Sequence, residues 1–504
     1  MSHDVAEPVI TLLLSCTLSL CAYKLTAVLV PMLGPDLLAK GLGGRDMLKP
    51  GFKRDEDDKM LDVNRESERI RNPATSEPPQ HEPGAVMLPE ATGVIGASVY
   101  ILLLSLFAPL PYLAHLMPTT STWFPSLNTT TEHLHLPSTV SLDNAIVFPH
   151  HSFATYLASL LSLLIATFLG FLDDVFDIRW RFKLPIPIIA SVPLLVTYAA
   201  GHGITDIVLP RVPGLRPLFK AVSTNGVIHL GALYYVYMSM LSTFCTNSIN
   251  ILAGVNGVEV GQALVIALSI AINDFLYLIL DVTLLWPPSI PGERRLIGFG
   301  FARGSVELAD RHLFSLYFML PLIGVCFGLL KHNWYPARAF IGDTFCYFAG
   351  MAFAVVGILG HFSKTLLLFF LPQIFNFLYS CPQLFGFVPC PRHRLPRLDI
   401  KTGTLVPSYA ALSVNKRRKL STRVVIETLN SLGLVKVVRD NEGFVEACSN
   451  LTILNLILVR IGRDKGIKED KLTMTLMMLQ AGASVLAFAV RYGIAQLFYD
   501  GSRR

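Results

Sequence analysis

The segment YLASLLSLLIATFLGFLDDVFDIRWRFK, Tyr156 to Lys183, joins a long apolar run to a charged end. About 20 mainly apolar residues suffice to cross the hydrocarbon core of a bilayer as a helix. The run 151–172 is therefore predicted to be a membrane helix. Asp173, Asp174 and Asp177 follow it directly, together with three cations, so this pattern indicates a polar site at the bilayer surface. The alternative is a solvated helix end that carries simple ion pairs.

The composition of the whole chain points to the membrane class. Of 504 residues, 52% are hydrophobic and only 15% are charged, which is too apolar for an ordinary soluble protein. In such a chain the net charge of +6 is better explained by basic cytoplasmic loops than by nucleic acid binding. The eight cysteines show no spacing typical of a zinc site. We therefore expect an all-α polytopic membrane protein that contacts membrane lipid and binds no nucleic acid.

The span-length rule predicts about ten transmembrane helices. The candidate segments are 9–33, 91–117, 151–172, 185–200, 229–246, 258–286, 312–331, 344–360, 362–380 and 473–498.

Three regions follow from this division. Residues 1–391 are expected to form a transmembrane catalytic bundle, with a flexible charged loop at about 34–90. Residues 392–471 alternate basic patches with short β-branched runs, which predicts a phosphate-gripping loop and a small cytosolic α/β insert between the last two spans. Residues 472–504 are expected to hold the last transmembrane helix and a C-terminal tail.

The distribution of Lys and Arg predicts the orientation of the bundle. The loop at 34–90 is rich in these residues and the loop at 118–150 has none, so the first loop is expected in the cytosol. With ten spans, every polar motif discussed below falls on the cytosolic face.

A second polar cluster follows the fifth candidate span in the string NSINILAGVNGVEVG, Asn247 to Gly261. Asn247 and Asn250 offer carbonyl oxygens to a hard cation, and Gly254 lets a ligand approach the backbone. A helix cap followed by a turn explains one Asn and one Gly of this string. It does not easily explain the whole string, which includes Asn256.

Two further clusters complete the pattern. Asp343 opens an apolar helix directly after Gly342, where capping of the helix is the alternative explanation. In CPRHRLPRLD, the prolines restrict a basic loop whose guanidinium groups suit bidentate binding of phosphate oxygens. A surface patch that binds anionic lipid is the alternative for this loop. Acids, amides and arginines on one membrane face together predict a phosphoryl-transfer site that uses Mg²⁺.

The strings FLDDVFDIRWRFK, CTNSINILAGVNGVEVGQ, HNWYPARAFIGDTFCYFAGM, GILGHFSKTLLLFF and CPRHRLPRLDIKTG resemble the polyprenyl-phosphate N-acetylhexosamine-1-phosphate transferases, and most of all their eukaryotic branch. The resemblance runs from the first span to the C-terminal LFYD. It implies a magnesium-dependent, tunicamycin-sensitive enzyme of the endoplasmic reticulum membrane that starts N-glycan assembly on the cytosolic face. The implied substrates are UDP-GlcNAc and dolichyl phosphate.

The resemblance also implies roles for individual residues. Asn250 and Asp343 match the magnesium ligands. Asp173, Asp174 and Lys183 match catalytic positions: Asp174 would activate the dolichyl phosphate and Lys183 would steady the diphosphate. The implied substrate-binding positions are Glu90, Asn247, Gly254, Asn256, Phe340, Arg392, His393 and Arg394.

Other functions remain open from the sequence alone. A nucleotide-sugar or lipid transporter would carry polar residues near the middle of several spans, whereas the clusters here lie at span ends. A scaffold without activity is disfavoured because the acids and the PRHR string are all present. The oligomeric state is not determined by the sequence, and a homodimer is one of the assemblies left open.

Overall fold

The computed structural model describes residues 7–45, 87–116, 148–183, 185–201, 203–209, 223–224, 226–281, 296–298, 305–391, 394–399, 401–412, 420–439, 445–463 and 465–495. Of the predicted site residues, Arg392 and His393 lie outside these ranges.

Helices dominate the described part of the chain. They are α1 (Glu7–Ala39), α2 (Gly93–Phe107), α3 (His150–Phe176), α4 (Ile186–Ala200), α5 (Ala232–Ile251), α6 (Val258–Phe275), α7 (Val306–Asn333), α8 (Gly342–Leu359), α9 (Ser363–Phe369), α10 (Leu371–Leu384), α11 (Leu420–Ser431), α12 (Ile453–Ile457) and α13 (Glu469–Phe488). One-turn helices occur at Leu113–Leu116 and Trp180–Lys183.

Seven of the described helical segments are long and apolar enough to cross a bilayer, judged by length and composition. They are Val9–Ala39, Gly93–Tyr112, His150–Phe176, Val258–Phe275, Val306–Asn333, Gly342–Leu359 and Glu469–Ile494. An eighth span results if α9 and α10 count as one. The all-α polytopic class is thus confirmed. Each of the ten predicted segments contains helix, but the predicted count of about ten is not confirmed, because α4 and α5 are not among these spans.

Helix α8 lies at the centre of the bundle. Its residues from Thr344 to Ile358 are all buried, as expected for a helix that is apolar on every side. Small residues let its neighbours approach closely. A Cβ added at Gly170 of α3 would lie 2.9 Å from Cα of Thr344, and one added at Gly350 would collide with the backbone at Thr246 of α5. These contacts fix how α3 and α5 are positioned along α8.

Helix α1 packs along α7 in the same manner. The backbone of Ser19 leaves no room for a side chain at Gly324, and Thr26 lies against Gly328. Hydrogen bonds join the pair near both ends of the contact, because the hydroxyls of Thr11 and Tyr317 lie 2.7 Å apart and Nε2 of His332 lies 2.9 Å from the carbonyl oxygen of Ala27.

The segment predicted as one span at 362–380 is broken into two helices. The axes of α9 and α10 differ by 69°. Pro372 lies in the first turn of α10, where its missing N–H and restricted backbone favour the start of a new helix. The break brings the end of α10 towards the insert that follows.

Short antiparallel strands lie between the helices. The two-stranded sheets are β1 (Gly43–Arg45) with β2 (Met87–Pro89), β6 (Ile279–Asp281) with β7 (Leu296–Gly298), and β8 (Arg397–Asp399) with β9 (Thr404–Val406). One three-stranded sheet has the strand order β3 (Asp206–Val208), β5 (Val227–His229), β4 (Ser223–Thr224). The other has the order β10 (Tyr409–Ala411), β12 (Val445–Ser449), β11 (Val437–Arg439).

Between α10 and α13 the chain contains both strands and helices, and the division of this segment as a separate insert stays a prediction. Strands β8 to β12 and helices α11 and α12 lie in this interval. A separate apolar cluster joins Ile426 of α11 to Ala410 and Cys448 of the sheet and to Tyr379 of α10. The insert is therefore packed onto the end of α10. Its position on the cytosolic side of a membrane stays a prediction.

Candidate active site

The predicted acidic residues meet at one end of the bundle, although they lie far apart in the sequence. Asp173 and Asp174 occupy the last turn of α3, and Asp343 lies in the first turn of α8. Because α3 ends where α8 begins, the two helices bring three carboxylates together. Lys183, from the one-turn helix that follows α3, completes this cluster.

Asp174 is bound to the N-terminus of α8. Its Oδ1 accepts a hydrogen bond from the backbone amide of Asp343 at 2.5 Å, and its Oδ2 accepts from the amide of Thr344 at 3.0 Å and from the Thr344 hydroxyl. The first amides of a helix have no partner within the helix, and their partial positive charge favours a carboxylate. Gly342 has a φ of +70°, and a Cβ there would lie 2.5 Å from Oδ2 of Asp174, so a glycine is required.

Lys183 bridges the other two acids. Its Nζ lies 2.9 Å from Oδ2 of Asp173 and 2.7 Å from Oδ2 of Asp343. Oδ1 of Asp173 accepts a further hydrogen bond from the amide of Ile178 at 3.1 Å. Burial acts to lower the pKa of Lys183, but the carboxylates of Asp343 and Asp173 outweigh it and raise that pKa above its ordinary value. Lys183 is therefore a firmly held cation near neutral pH.

Asp177 lies directly after the last residue of α3. It is the residue that caps the helix, with φ of 46° in the left-handed region, and its side chain is exposed. Of the three acids, Asp173 and Asp174 therefore belong to α3, and Asp177 follows its end.

The register of α5 against α8 places Asn250 near Asp343. The helices run antiparallel, because Thr246 lies against Gly350 while Tyr237, earlier in α5, donates to Ser363 at 3.2 Å. Four residues advance a helix by about 6 Å. Asn250 is therefore level with the residue four before Gly350, about one helical turn from Asp343.

Asn247 forms its hydrogen bonds within its own helix. Its Nδ2 donates to the carbonyl oxygen of Thr243, one turn earlier in the same helix, at 2.9 Å. The side chain is half-buried. Its predicted contact with substrate stays a prediction.

Glu90 and Phe340 lie side by side next to the acids. A Cβ added at Gly44 would be 2.9 Å from Oε2 of Glu90 and 3.1 Å from Cδ2 of Phe340, so all three residues border the same space. The amide of Phe340 donates to the carbonyl oxygen of Pro89 at 2.8 Å, which holds the two segments together. Glu90 keeps an exposed surface, but desolvation of its carboxyl group by the surrounding protein and, secondarily, the carboxylate of Asp343 raise its pKa.

Gly254 and Asn256 lie in the short connection between α5 and α6. Gly254 has φ of +94°, and the side chain of Leu395 fills the space that a Cβ would occupy. Leu395 follows Arg394 in the basic loop, so this loop contacts Gly254. Asn256 is 6% exposed, and it therefore sits beneath the surface of the connection.

Arg394 is held by the insert through its backbone. Its carbonyl oxygen accepts from Nδ2 of Asn455 at 2.9 Å and from the hydroxyl of Ser408 at 3.4 Å. Its Nη1 is buried with no hydrogen-bond partner in the described ranges. Burial lowers the pKa of Arg394. A buried guanidinium donor without a partner fits an anion such as a phosphate.

The donor set fits a magnesium ion that is completed by a substrate. Among the described residues no group of three or more His, Cys, Asp or Glu side chains forms a ready-made metal site. Magnesium is usually held by one or two carboxylates together with substrate phosphates. Asp343 is 26% exposed on its side chain and so remains reachable from solution. Asp343 and the amide oxygen of Asn250 supply hard oxygen ligands of the required kind.

Three residues near the candidate site were not predicted from the sequence. Thr344 binds Asp174, Gly44 borders the space beside Glu90, and Glu259 accepts a hydrogen bond from the amide of Gly254 at 2.8 Å. Thr344 was recognisable as the residue after an acid at a helix start. Glu259 is likewise an acid in the first turn of a helix, five residues after Gly254, so it carried a local signal. Gly44 carries none, because its neighbours Glu90 and Phe340 come from tertiary contacts.

A family model described as "Glycosyl transferase family 4" matches residues 156–361, a range that includes the acids of α3 and α8.

Three eukaryotic relatives carry the name UDP-N-acetylglucosamine–dolichyl-phosphate N-acetylglucosaminephosphotransferase. The protein of Schizosaccharomyces pombe is 41% identical over 97% of this chain and 93% of its own length. That of Saccharomyces cerevisiae is 37% identical over 95% and 91%, and that of Dictyostelium discoideum is 38% identical over 80% and 77%. These names are those of transferases and favour neither a transporter nor an inactive scaffold. Similarity of this extent shows that the chain belongs to the UDP-N-acetylglucosamine–dolichyl-phosphate N-acetylglucosaminephosphotransferase family.

Proposed function

We propose that this protein transfers GlcNAc-1-phosphate from UDP-GlcNAc to dolichyl phosphate, giving GlcNAc-diphosphate-dolichol and UMP. The names of the relatives, at 37% to 41% identity over most of the chain, support this reaction. The observation that carries the proposal is the cation of Lys183 held between Asp173 and Asp343 at the end of the bundle. A fixed cation among acids, beside hard oxygen ligands, suits a charged diphosphate that brings a divalent ion.

The donor would bind across the end of the bundle. Phe340 and Glu90 border one space, and the ring of Phe340 is available to stack on the uracil. Gly254 and Asn256 would line the uridine on another side. Arg394, whose Nη1 is buried and has no partner in the described ranges, would bind the diphosphate together with Arg392 and His393.

Asn250 and Asp343 would hold the magnesium ion. Such an ion, when bound, neutralises part of the negative charge that gathers on the diphosphate. The role of Lys183 is complementary, since its raised pKa keeps it protonated where that charge develops.

The reaction needs no other co-substrate. An oxygen of the lipid phosphate forms a bond to the β-phosphorus of UDP-GlcNAc. The bond between that phosphorus and the oxygen bridging to the α-phosphate breaks, and UMP leaves with this oxygen and its electron pair. We favour this direct attack over a covalent aspartyl-phosphate intermediate.

Asp174 would orient the lipid phosphate and, through the start of α8, the predicted magnesium ligand Asp343. The second pKa of a phosphate monoester is about 6, so most of the lipid phosphate is already ionised near neutral pH and a strong base is not required. Both oxygens of Asp174 are engaged by the start of α8, which fixes Asp343 in place. Oδ2 accepts two hydrogen bonds, but Oδ1 accepts one and keeps a second lone pair, so Asp174 can still take a residual proton there.

The position of the site relative to the bilayer suits its two substrates. The polar residues gather at one end of a bundle of apolar helices, so a lipid acceptor in the bilayer can meet a water-soluble donor there. We place this end on the cytosolic face of the endoplasmic reticulum membrane, because the basic loops are expected on that side.

The direct test uses purified protein with Mg²⁺, UDP-GlcNAc and dolichyl phosphate, and measures UMP. UMP is expected only when both substrates are present. Omission of dolichyl phosphate is the control for plain hydrolysis of the donor. Absence of UMP formation by folded protein with matched lipid acceptors would contradict the proposal.

A further inference from the structure

The connection between α5 and α6, residues 252–257, is held by side chains from three helices. Three of its backbone amides donate to side-chain oxygens: Gly254 to Oε1 of Glu259 of α6 at 2.8 Å, Asn256 to Oε1 of Glu469 of α13 at 2.9 Å, and Gly257 to Oδ1 of Asn333 of α7 at 3.1 Å. A connection that contains two glycines with positive φ has little conformational preference of its own. Its shape therefore depends on these hydrogen bonds.

Helix α13 holds Asn256 from both sides of its backbone. Glu469 accepts from the amide, and Oγ1 of Thr473 donates to the carbonyl oxygen of Asn256 at 2.9 Å. Glu469 and Thr473 are four residues apart and so share one face of the helix. All three residues are buried, with exposures of 6% for Asn256, 4% for Glu469 and 0% for Thr473. Water therefore has little access to replace either hydrogen bond.

We propose that Glu469 and Thr473, at the start of the last membrane helix, are positioning residues that set the affinity for the uridine end of the donor by holding the backbone of Asn256. This inference rests on the proposed function, because that function places Gly254 and Asn256 against uridine. It adds two residues that lie more than 200 positions from the connection and act through the backbone of Asn256.

The same contact joins the insert to the donor site. The chain enters the insert near Leu395, which lies on Gly254, and leaves it near Glu469, which holds Asn256. Both ends of the insert thus contact the six-residue connection at 252–257. The proposed uridine-binding connection and the basic loop that contains Arg394 are thereby positioned together.

Four substitutions separate positioning from general stability. Glu469→Ala removes the acceptor, whereas Glu469→Gln keeps a carbonyl oxygen at the same place. Thr473→Val removes the hydroxyl with little change of shape. Its matched control is Thr475→Val, because Oγ1 of Thr475 donates only within α13, to the carbonyl oxygen of Lys471 at 2.7 Å.

The first readout is steady-state kinetics with each substrate varied in turn. Glu469→Ala is expected to raise the KM for UDP-GlcNAc about tenfold, equivalent to about 1.4 kcal/mol, and Thr473→Val is expected to raise it less. The KM for dolichyl phosphate and kcat should change little, as expected when uniform binding of one substrate is lost. Glu469→Gln and Thr475→Val should stay near the wild type. An unchanged donor KM in both Glu469→Ala and Thr473→Val, or an equal loss for both substrates, overturns the inference.

The second readout is hydrogen exchange of the backbone amides at 252–257 in the full-length protein, which needs no turnover. Glu469→Ala is expected to speed exchange at Asn256, whereas Glu469→Gln is not. Unchanged exchange in Glu469→Ala overturns the inference even if the enzyme is active. A wild type that forms no UMP overturns the proposed function instead, and the exchange result still decides whether α13 holds Asn256.

Discussion

The carboxylate of Asp174 accepts a hydrogen bond from the backbone amide of Thr344 at 3.0 Å, across 170 positions of sequence. This contact joins the last turn of α3 to the first turn of α8. A carboxylate at a helix N-terminus satisfies amides that have no partner within the helix and lies favourably in the helix dipole. It also fixes the turn that carries Asp343, so one acid of the adjacent pair at 173 and 174 orients the predicted metal ligand while the other binds Lys183.

Replacing Asp174 should therefore affect stability and activity together. Asp174→Asn places an amide donor against amide donors, and hydrogen bonds to a charged group are worth about 1.5–3 kcal/mol. We expect a lower midpoint of thermal unfolding and a large loss of UMP formation. Thr344→Val should show a smaller loss, because only the hydroxyl contact to Asp174 disappears. Thr344→Ser, which keeps the hydroxyl, is the control. A normal midpoint and normal activity in Asp174→Asn would contradict the orienting role.

Gly342→Ala tests the same corner of the site without changing a polar group. The added Cβ would lie 2.5 Å from Oδ2 of Asp174, and the φ of +70° is unfavourable for alanine. We expect strongly reduced activity and a lower unfolding midpoint. The matched control is Gly482→Ala in α13, where a Cβ would meet nothing within 4 Å and alanine should stabilise the helix by about 0.5–1 kcal/mol. Equal behaviour of the two variants would argue against the close approach at Gly342.

The titration of Glu90 is expected to make the stability of the folded protein depend on pH. Desolvation of its carboxyl group and the carboxylate of Asp343 raise its pKa in the folded protein. A raised pKa means that the folded state prefers the protonated acid, so stability is fully present below the unfolded value of about 4.3 and is lost as pH rises through the folded value. Glu90→Gln stays neutral and should avoid this loss. The unfolding midpoint of Glu90→Gln minus that of the wild type should therefore grow as pH rises from about 4 to 7.

The neighbouring acid supplies the control for that experiment. In an Asp343→Asn background the advantage of Glu90→Gln should shrink, because one of the two causes of the raised pKa is gone. A midpoint difference that stays constant with pH would show that Glu90 is not perturbed in the folded protein.

Local patterns in the sequence identified most of the bundle and the polar ends of its helices. Apolar runs of sufficient length located α1, α3, α7 and α8, since span length is a property of one segment. The break between α9 and α10 was missed, although Pro372 was its local signal. Spans such as α5 are ambiguous because polar residues near a helix end reduce the apolar length.

The site was predictable as a set of residues but not as an arrangement. Asp173, Asp174 and Asp343 were found from charge at helix ends, whereas the binding of Asp174 to the start of α8 depends on how α3 packs against α8. Asp177 was grouped with the pair as part of one charged segment, but α3 ends at Phe176 and Asp177 has a left-handed backbone conformation. The connection at 252–257 has one local partner, Glu259 of α6, but its partners from α7 and α13 are linked to it by no local pattern.

The most direct measurement of the central claim is UMP formation by Asp343→Asn with saturating Mg²⁺, UDP-GlcNAc and dolichyl phosphate. Asp36→Asn, a change at an exposed acid of α1, is the control for the loss of a carboxylate as such. If Asp343 joins the magnesium ion, Lys183 and the diphosphate in one site, kcat should fall by a factor on the order of 10² or more, because such a group supplies several kcal/mol. The Asp36→Asn protein should keep its activity. Unaltered turnover by a folded Asp343→Asn protein would contradict the account.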